Sequence, residues 1–293
     1  MSTPLANPPQ PLPGDLPWGQ TVGLLLDALQ VDDLIKRLYE WSEAPHVDVL
    51  YQGTQWAGIS RFSPCLVHIT HPEHPVLLQF LANTRNQWGY LLFSDGPWAE
   101  LLDHLRWLTS IQPEQMDEMF LRISDPVVAH ALFAADLHPH AQVFGPCSQI
   151  VVANTPLDGW QQYKRPGEMP QPQYHTPYVP GAAQWTALQA AAFRKSIGEL
   201  YLHMQHFFPG YQADLQPAQR LAHLHELSSA AIARGFADER EIWLYANVYG
   251  FLGEQNVSSH PDIVELLTVE SELTTFQRID RASELAAQRR STQ

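Results

Sequence analysis

Residues 119–128 read MFLRISDPVV: an apolar run suited to a strand, a lone arginine, then an Asp-Pro pair. Asp accepts hydrogen bonds from the free N–H groups at a helix start, and Pro fits the first helical position, where a missing donor costs nothing. Asp125 is therefore expected to cap a helix opening at Pro126. Arg122, one strand-end away, is expected to pair with Asp125 or a neighbouring carboxylate. The junction predicts a strand followed directly by a helix.

Working outward, the same alternation continues. VDVLY (47–51), CLVHI (65–69), WGYLLF (88–93), MFLRI (119–123) and QIVVA (149–153) are short, rich in β-branched or aromatic residues, and apolar on both faces, as buried strands are. Helical stretches fall at 31–41, 73–84, 97–109 and 126–135, the third with Leu101, Leu105 and Leu108 on one face. Residues 18–153 are thus expected to form an α/β lobe. Residues 154–183 carry six prolines and no sustained periodicity, so they are expected to be a Pro-rich linker, either pinned across a lobe by Trp160, Tyr163, Tyr174 and Tyr178 or a mobile tether. Residues 184–293 read as helix throughout. Phe193, Ile197, Leu200, Tyr201, Met204 and Phe208 make one stripe, a second helix should run 217–234 until Gly235 stops it, and Asp238 with Glu241 forms an acidic capping box. This predicts an all-α helical-bundle lobe of four or five helices.

The 293 residues, 45% hydrophobic, supply ample core for two lobes, and the formal charge of −14 repels nucleic acid and anionic membranes. Residues 1–150 hold 16 acidic and 6 basic side chains, a net −10, so the first lobe is the acidic one and favours a basic or apolar partner. Residues 1–17 contain six prolines, no basic residue and no apolar core, which predicts a disordered Pro-rich lead and no secretory signal. No apolar run approaches the roughly 18 residues that span a bilayer. Two cysteines, Cys65 and Cys147, fit a reducing cytoplasm better than a disulfide framework.

Catalytic chemistry finds little footing. His68, His71 and His74 sit three apart in HITHPEH, but a strand and two prolines keep them from converging, so no metal site is expected. His203 with His206 and His223 with His225 make no ligand set. Cys65 and Cys147 follow prolines and read as small buried thiols. No GxSxG, HExxH, GxGxxG or P-loop pattern occurs, and no cofactor is expected.

Several ordered segments together resemble one family. WGQTVGLLLDAL (18–29) is similar to its opening strand ending in Asp, here Asp27. YQGTQWAGISRFSPCLVHI (51–69) follows its turn, Pro-containing corner and buried strand. NQWGYLLFSDGPWAELLDHLRWL (86–108) resembles its Trp-Gly strand and His-Leu-Arg helix, FLRISDPVV supplies Arg-x-x-Asp-Pro, and VFGPC (143–147) gives a closing turn with Gly145 and Pro146. The chain resembles the DUF4123 family of type VI secretion effector adaptors. The resemblance implies a cytoplasmic, non-catalytic adaptor or chaperone that binds one cognate effector and helps load it onto the VgrG spike or its PAAR tip. It implies a structural signature at Asp27, Arg122, Asp125, Pro126, Gly145 and Pro146. Interfaces favour Trp, Tyr and Arg, so Trp88, Trp98, Trp107, Arg122, Trp243, Tyr245 and Tyr249 are the candidate contacts, with core packing as the competing role. The rival classes are an immunity protein that neutralises a toxin and a hydrolase using a Cys or His nucleophile.

Overall fold

The computed structural model describes residues 11–134, 141–154, 159–253, 256–269 and 271–290. The described chain divides between Gln189 and Ala190 into two units.

The first unit is built on a six-stranded sheet. Its strands are β1 (Thr21–Leu26), β2 (Val47–Val49), β3 (Cys65–His68), β4 (Gly89–Ser94), β7 (Cys147–Asn154) and β8 (Gly159–Lys164), in the order β2-β3-β1-β4-β7-β8. A separate hairpin pairs β5 (Ser110–Ile111) with β6 (Met119–Phe120). Four helices complete the unit: α1 (Leu34–Trp41), α2 (Pro75–Ala82), α3 (Trp98–Trp107) and α4 (Pro126–Phe133). Helices cover both faces of the sheet, which is why its central strands β1, β4 and β7 are largely apolar on both sides. Leu34 and Leu38 of α1 and Val76, Leu77 and Phe80 of α2 pack on Leu24, Leu26, Val67 and Leu91. On the opposite face Leu101 of α3 approaches Gly23, and Phe133 of α4 meets the ring of Tyr90. The strand-helix alternation left strand order and direction open, and every ladder of this sheet is antiparallel. At its centre Gly89, φ +153°, is required: a Cβ there would stand 1.8 Å from the Leu25 carbonyl oxygen.

Three expectations are corrected here. MFLRI yields only the two-residue β6 in the side hairpin, because Arg122 is drawn to Asp27 and Leu121 N–H bonds Thr109 O. The expected linker is not a tether: residues 159–164 form β8, whose Trp160 reaches Phe80 and whose Tyr163 bonds His130 on the other side. Further along, Tyr178 bridges to Ile111 and its hydroxyl bonds Gln184. Of the Pro-rich lead, residues 1–10 lie outside the described residues, but from residue 11 it packs, with Leu16 buried and Trp18 edge-on to Phe93.

Helix α5 (Ala182–Phe207) starts in the first unit and carries the chain into the second, which adds α6 (Pro217–Ala233), α7 (Glu239–Leu252), α8 (Pro261–Thr268) and α9 (Thr275–Arg290). The expected stripe is core: Ile197, Leu200, Met204 and Phe208 are buried against Leu224, Tyr245, Ile263 and Ile279. Asp238 and Glu241 form the capping box, Asp238 accepting from Arg240 N–H at 2.9 Å and Glu241 accepting from Asp238 N–H at 3.3 Å. Gly235, φ +89°, ends α6.

Candidate interaction surface

The Asp-Pro junction is an ion-paired clasp. Arg122 donates from Nε to Asp27 Oδ2 at 2.8 Å, just beyond the end of β1, and its Nη2 ion-pairs with the same oxygen at 2.6 Å, while its Nη1 lies 3.5 Å from Asp125 Oδ2. Asp27 Oδ1 takes the Leu29 N–H, and Asp125 Oδ1 takes the Val127 N–H as a helix cap. The three side chains are 2%, 11% and 16% exposed for Asp27, Asp125 and Arg122. Arg122 is thus committed inside the molecule rather than presented to a partner. Pro126 opens α4 as expected. Asp125→Ala removes one cap bond and should cost about 0.5–2 kcal/mol. Chemical denaturation checks this, and a variant of unchanged stability that loses partner binding would make Asp125 a contact.

The Phe-Gly-Pro turn closes on α3. Gly145 packs against the His104 ring, whose Nε2 donates to Val143 O at 2.9 Å. Beside it Trp107 donates Nε1–H to Thr176 O at 2.6 Å and packs on Tyr174 and Tyr178, both at 5.4 Å between ring centroids. The aromatics of the Pro-rich segment thereby strap it across α3.

The other candidate contacts divide. Trp88 is 9% exposed and stacks on Trp41, and Tyr245 is 1% exposed against Phe236, its hydroxyl bonded by Arg234 and Tyr249. Both are core. Trp98 is half-buried, its Nε1–H given to Asp48 at 2.8 Å between the rings of His46 and His68. Trp243 and Tyr249 are half-buried, Trp243 facing His203. Trp107 alone lines an open groove of about 340 Å³, together with Trp56, Ser110, Glu118 and Tyr174. Trp56 and Glu118 were not singled out in the sequence; they and Tyr174 come together from three distant segments, and no periodicity links them.

Residues 24–142, which hold Asp27, His104, Trp107, Arg122 and Asp125, match the family model described as domain of unknown function (DUF4123). The chain carries a domain of the DUF4123 family. It is also 28% identical over 268 residues to accessory protein VasW of Vibrio cholerae serotype O1, a likeness covering 90% of this chain and 87% of that one. No solved structure matches.

The DUF4123 span ends before Gly145, so the closing turn, β7 and β8 complete the first unit outside it. Inside and beside that span burial sets the protonation of a few groups. Burial pushes the thiols of Cys65 and Cys147 up to about 12, keeping both protonated and non-nucleophilic. His68 and His74 are lowered by burial and then by neighbouring histidines, and no cluster of metal-ligating side chains forms among the described residues. No helix among them is long and apolar enough to cross a membrane.

Burial lowers His104 to about 4 despite its bond to Val143. Its folded pKa lies below the unfolded value near 6.5, so its contribution is complete above about pH 6.5 and is lost as pH falls toward about 4. The loss should reach about 3 kcal/mol. His130, lowered mainly by burial, acts in the same direction. Melting curves from pH 7 to 4 should fall in wild type and flatten in His104→Gln; equal slopes would contradict the assignment.

Proposed function

We propose that this protein is a type VI secretion adaptor: a non-catalytic cytoplasmic chaperone that binds one cognate effector and helps load it onto the VgrG spike or its PAAR tip. The observation that carries this is the likeness to an accessory protein across both units, with the DUF4123 domain in the first. The protonated thiols speak against the cysteine-nucleophile alternative. Each unit has its own core, so each can engage a partner, through a combined interface of roughly 1,200–2,000 Å². The half-buried Trp98, Trp107, Trp243 and Tyr249 remain the contacts of choice, whereas Arg122, Trp88 and Tyr245 are committed internally.

Tagged protein purified from its host, with mass spectrometry of what accompanies it, tests this. An effector or spike component should co-purify, and deleting the gene should abolish secretion of that effector while leaving its synthesis intact. A folded protein that recovers neither sinks the adaptor role. Neutralisation of the captured toxin in cells without a secretion spike would assign an immunity protein instead.

A further inference from the structure

The groove on the first unit is lined by aromatic rings and one carboxylate, that of Glu118. Trp56 gives its Nε1–H to Ser110 at 3.2 Å and Trp107 gives its own to Thr176, so both indoles have spent their polar edge and offer ring surface. Trp56 is further braced by Phe120, 5.0 Å away. Glu118 lines the same groove, its carboxylate held by Gln55 Nε2 at 2.5 Å. No cation pairs with it among the described residues. Arg106 also lines the groove, but its Nε bonds Leu50 O and its Nη1 lies 4.0 Å from Asp103. The connection from β5 to β6 adds exposed Glu114 and Asp117, likewise without a cationic partner among the described residues.

We propose that this groove receives an arginine side chain from a basic, extended segment of the protein partner, set against the indole rings of Trp56 and Trp107 and paired with Glu118. This deepens the adaptor role and rests on it for the existence of a protein partner. Guanidinium is planar and weakly hydrated, stacks on aromatic faces and pairs with carboxylate, demands that a lysine ammonium meets less well. A volume of about 340 Å³ suits a side chain rather than a helix. Three carboxylates within residues 114–118, on a lobe of net −10 over residues 1–150, favour a segment with several cations over one small cation.

The test uses the full-length chain and dye-labelled Gly/Ser peptides of equal length bearing spaced arginines, lysines or glutamates. The arginine peptide should bind tightest and weaken with salt. Affinity should fall about ten-fold in Trp56→Ala and in Glu118→Gln, and should hold in Glu265→Gln of the helical unit. If Trp56→Ala lowers the melting temperature, Trp56→Phe, which keeps a ring, should bind and Glu118→Gln decides. No binding of the arginine peptide, or binding that both groove variants leave unchanged, overturns the proposal. Against the co-purified effector, undiminished capture by both variants refutes the groove while the adaptor role stands; failure of the wild type to capture any effector refutes the adaptor role itself.

Discussion

Arg122→Leu should destabilise the first unit by about 3–5 kcal/mol, the cost of leaving a buried charge without its partner. The Asp27 side chain is 2% exposed, and one of its oxygens accepts from Arg122 Nε and lies 2.6 Å from Nη2. Leucine fills the space but supplies no cation, so the carboxylate keeps only the Leu29 N–H. Asp125 loses its nearby cation at the same stroke. Arg122→Lys should fall between, since a single ammonium cannot reach both carboxylates in the fork geometry. Adding Asp27→Asn to Arg122→Leu should recover part of the loss, because the stranded charge is then gone. Urea denaturation followed by a probe in the first unit measures this. A change under about 1 kcal/mol would show that the clasp is solvated and contributes as a surface pair does. Because the clasp joins the end of β1 to the start of α4, partner binding should suffer only in proportion to unfolding.

What the sequence revealed depended on how local the causes were. Asp125 as a cap, the stripe of α5 and the Asp238–Glu241 box each follow from residues within a few positions of one another, and the structure holds them where expected. Asp27 with Arg122 is different: 95 positions separate them, and spacing alone pointed only to Asp125 or another nearby carboxylate. The strand β8 was hidden because GWQQYK is polar along most of its length and sits among prolines; only Trp160 and Tyr163, on opposite faces, reveal that it is covered on both sides. The antiparallel sheet was equally illegible, since helices between strands satisfy either direction. The groove was invisible for a further reason. β5 and β6 have two residues each, too few to show a period, and its walls come from residues near 56, 107 and 174.

Gly145→Ala should cost about 2–5 kcal/mol and loosen the strap over α3, from two additive causes. The first is conformational: Gly145 has φ +50°, where any Cβ strains against its own carbonyl, worth about 1–2 kcal/mol. The second is steric. A Cβ at this position would lie 2.4 Å from His104 Nδ1 and 2.5 Å from its Cε1, and the ring has nowhere to go, being buried with Nε2 tied to Val143. Forcing atoms into a filled core costs about 1–3 kcal/mol. Any displacement of His104 passes to Trp107, whose ring centroid lies 5.6 Å away, and thence to Tyr174 at 5.4 Å. The variant should therefore expose residues 165–177 to limited proteolysis before the sheet unfolds. His104→Ala in the Gly145→Ala background should restore room and relieve the steric part while leaving the φ strain, which separates the two causes. Thermal melts and digestion kinetics on the single and double variants measure this. A single variant that melts like wild type and is cut no faster would mean that the turn shifts freely, and that Gly145 has no structural duty against His104.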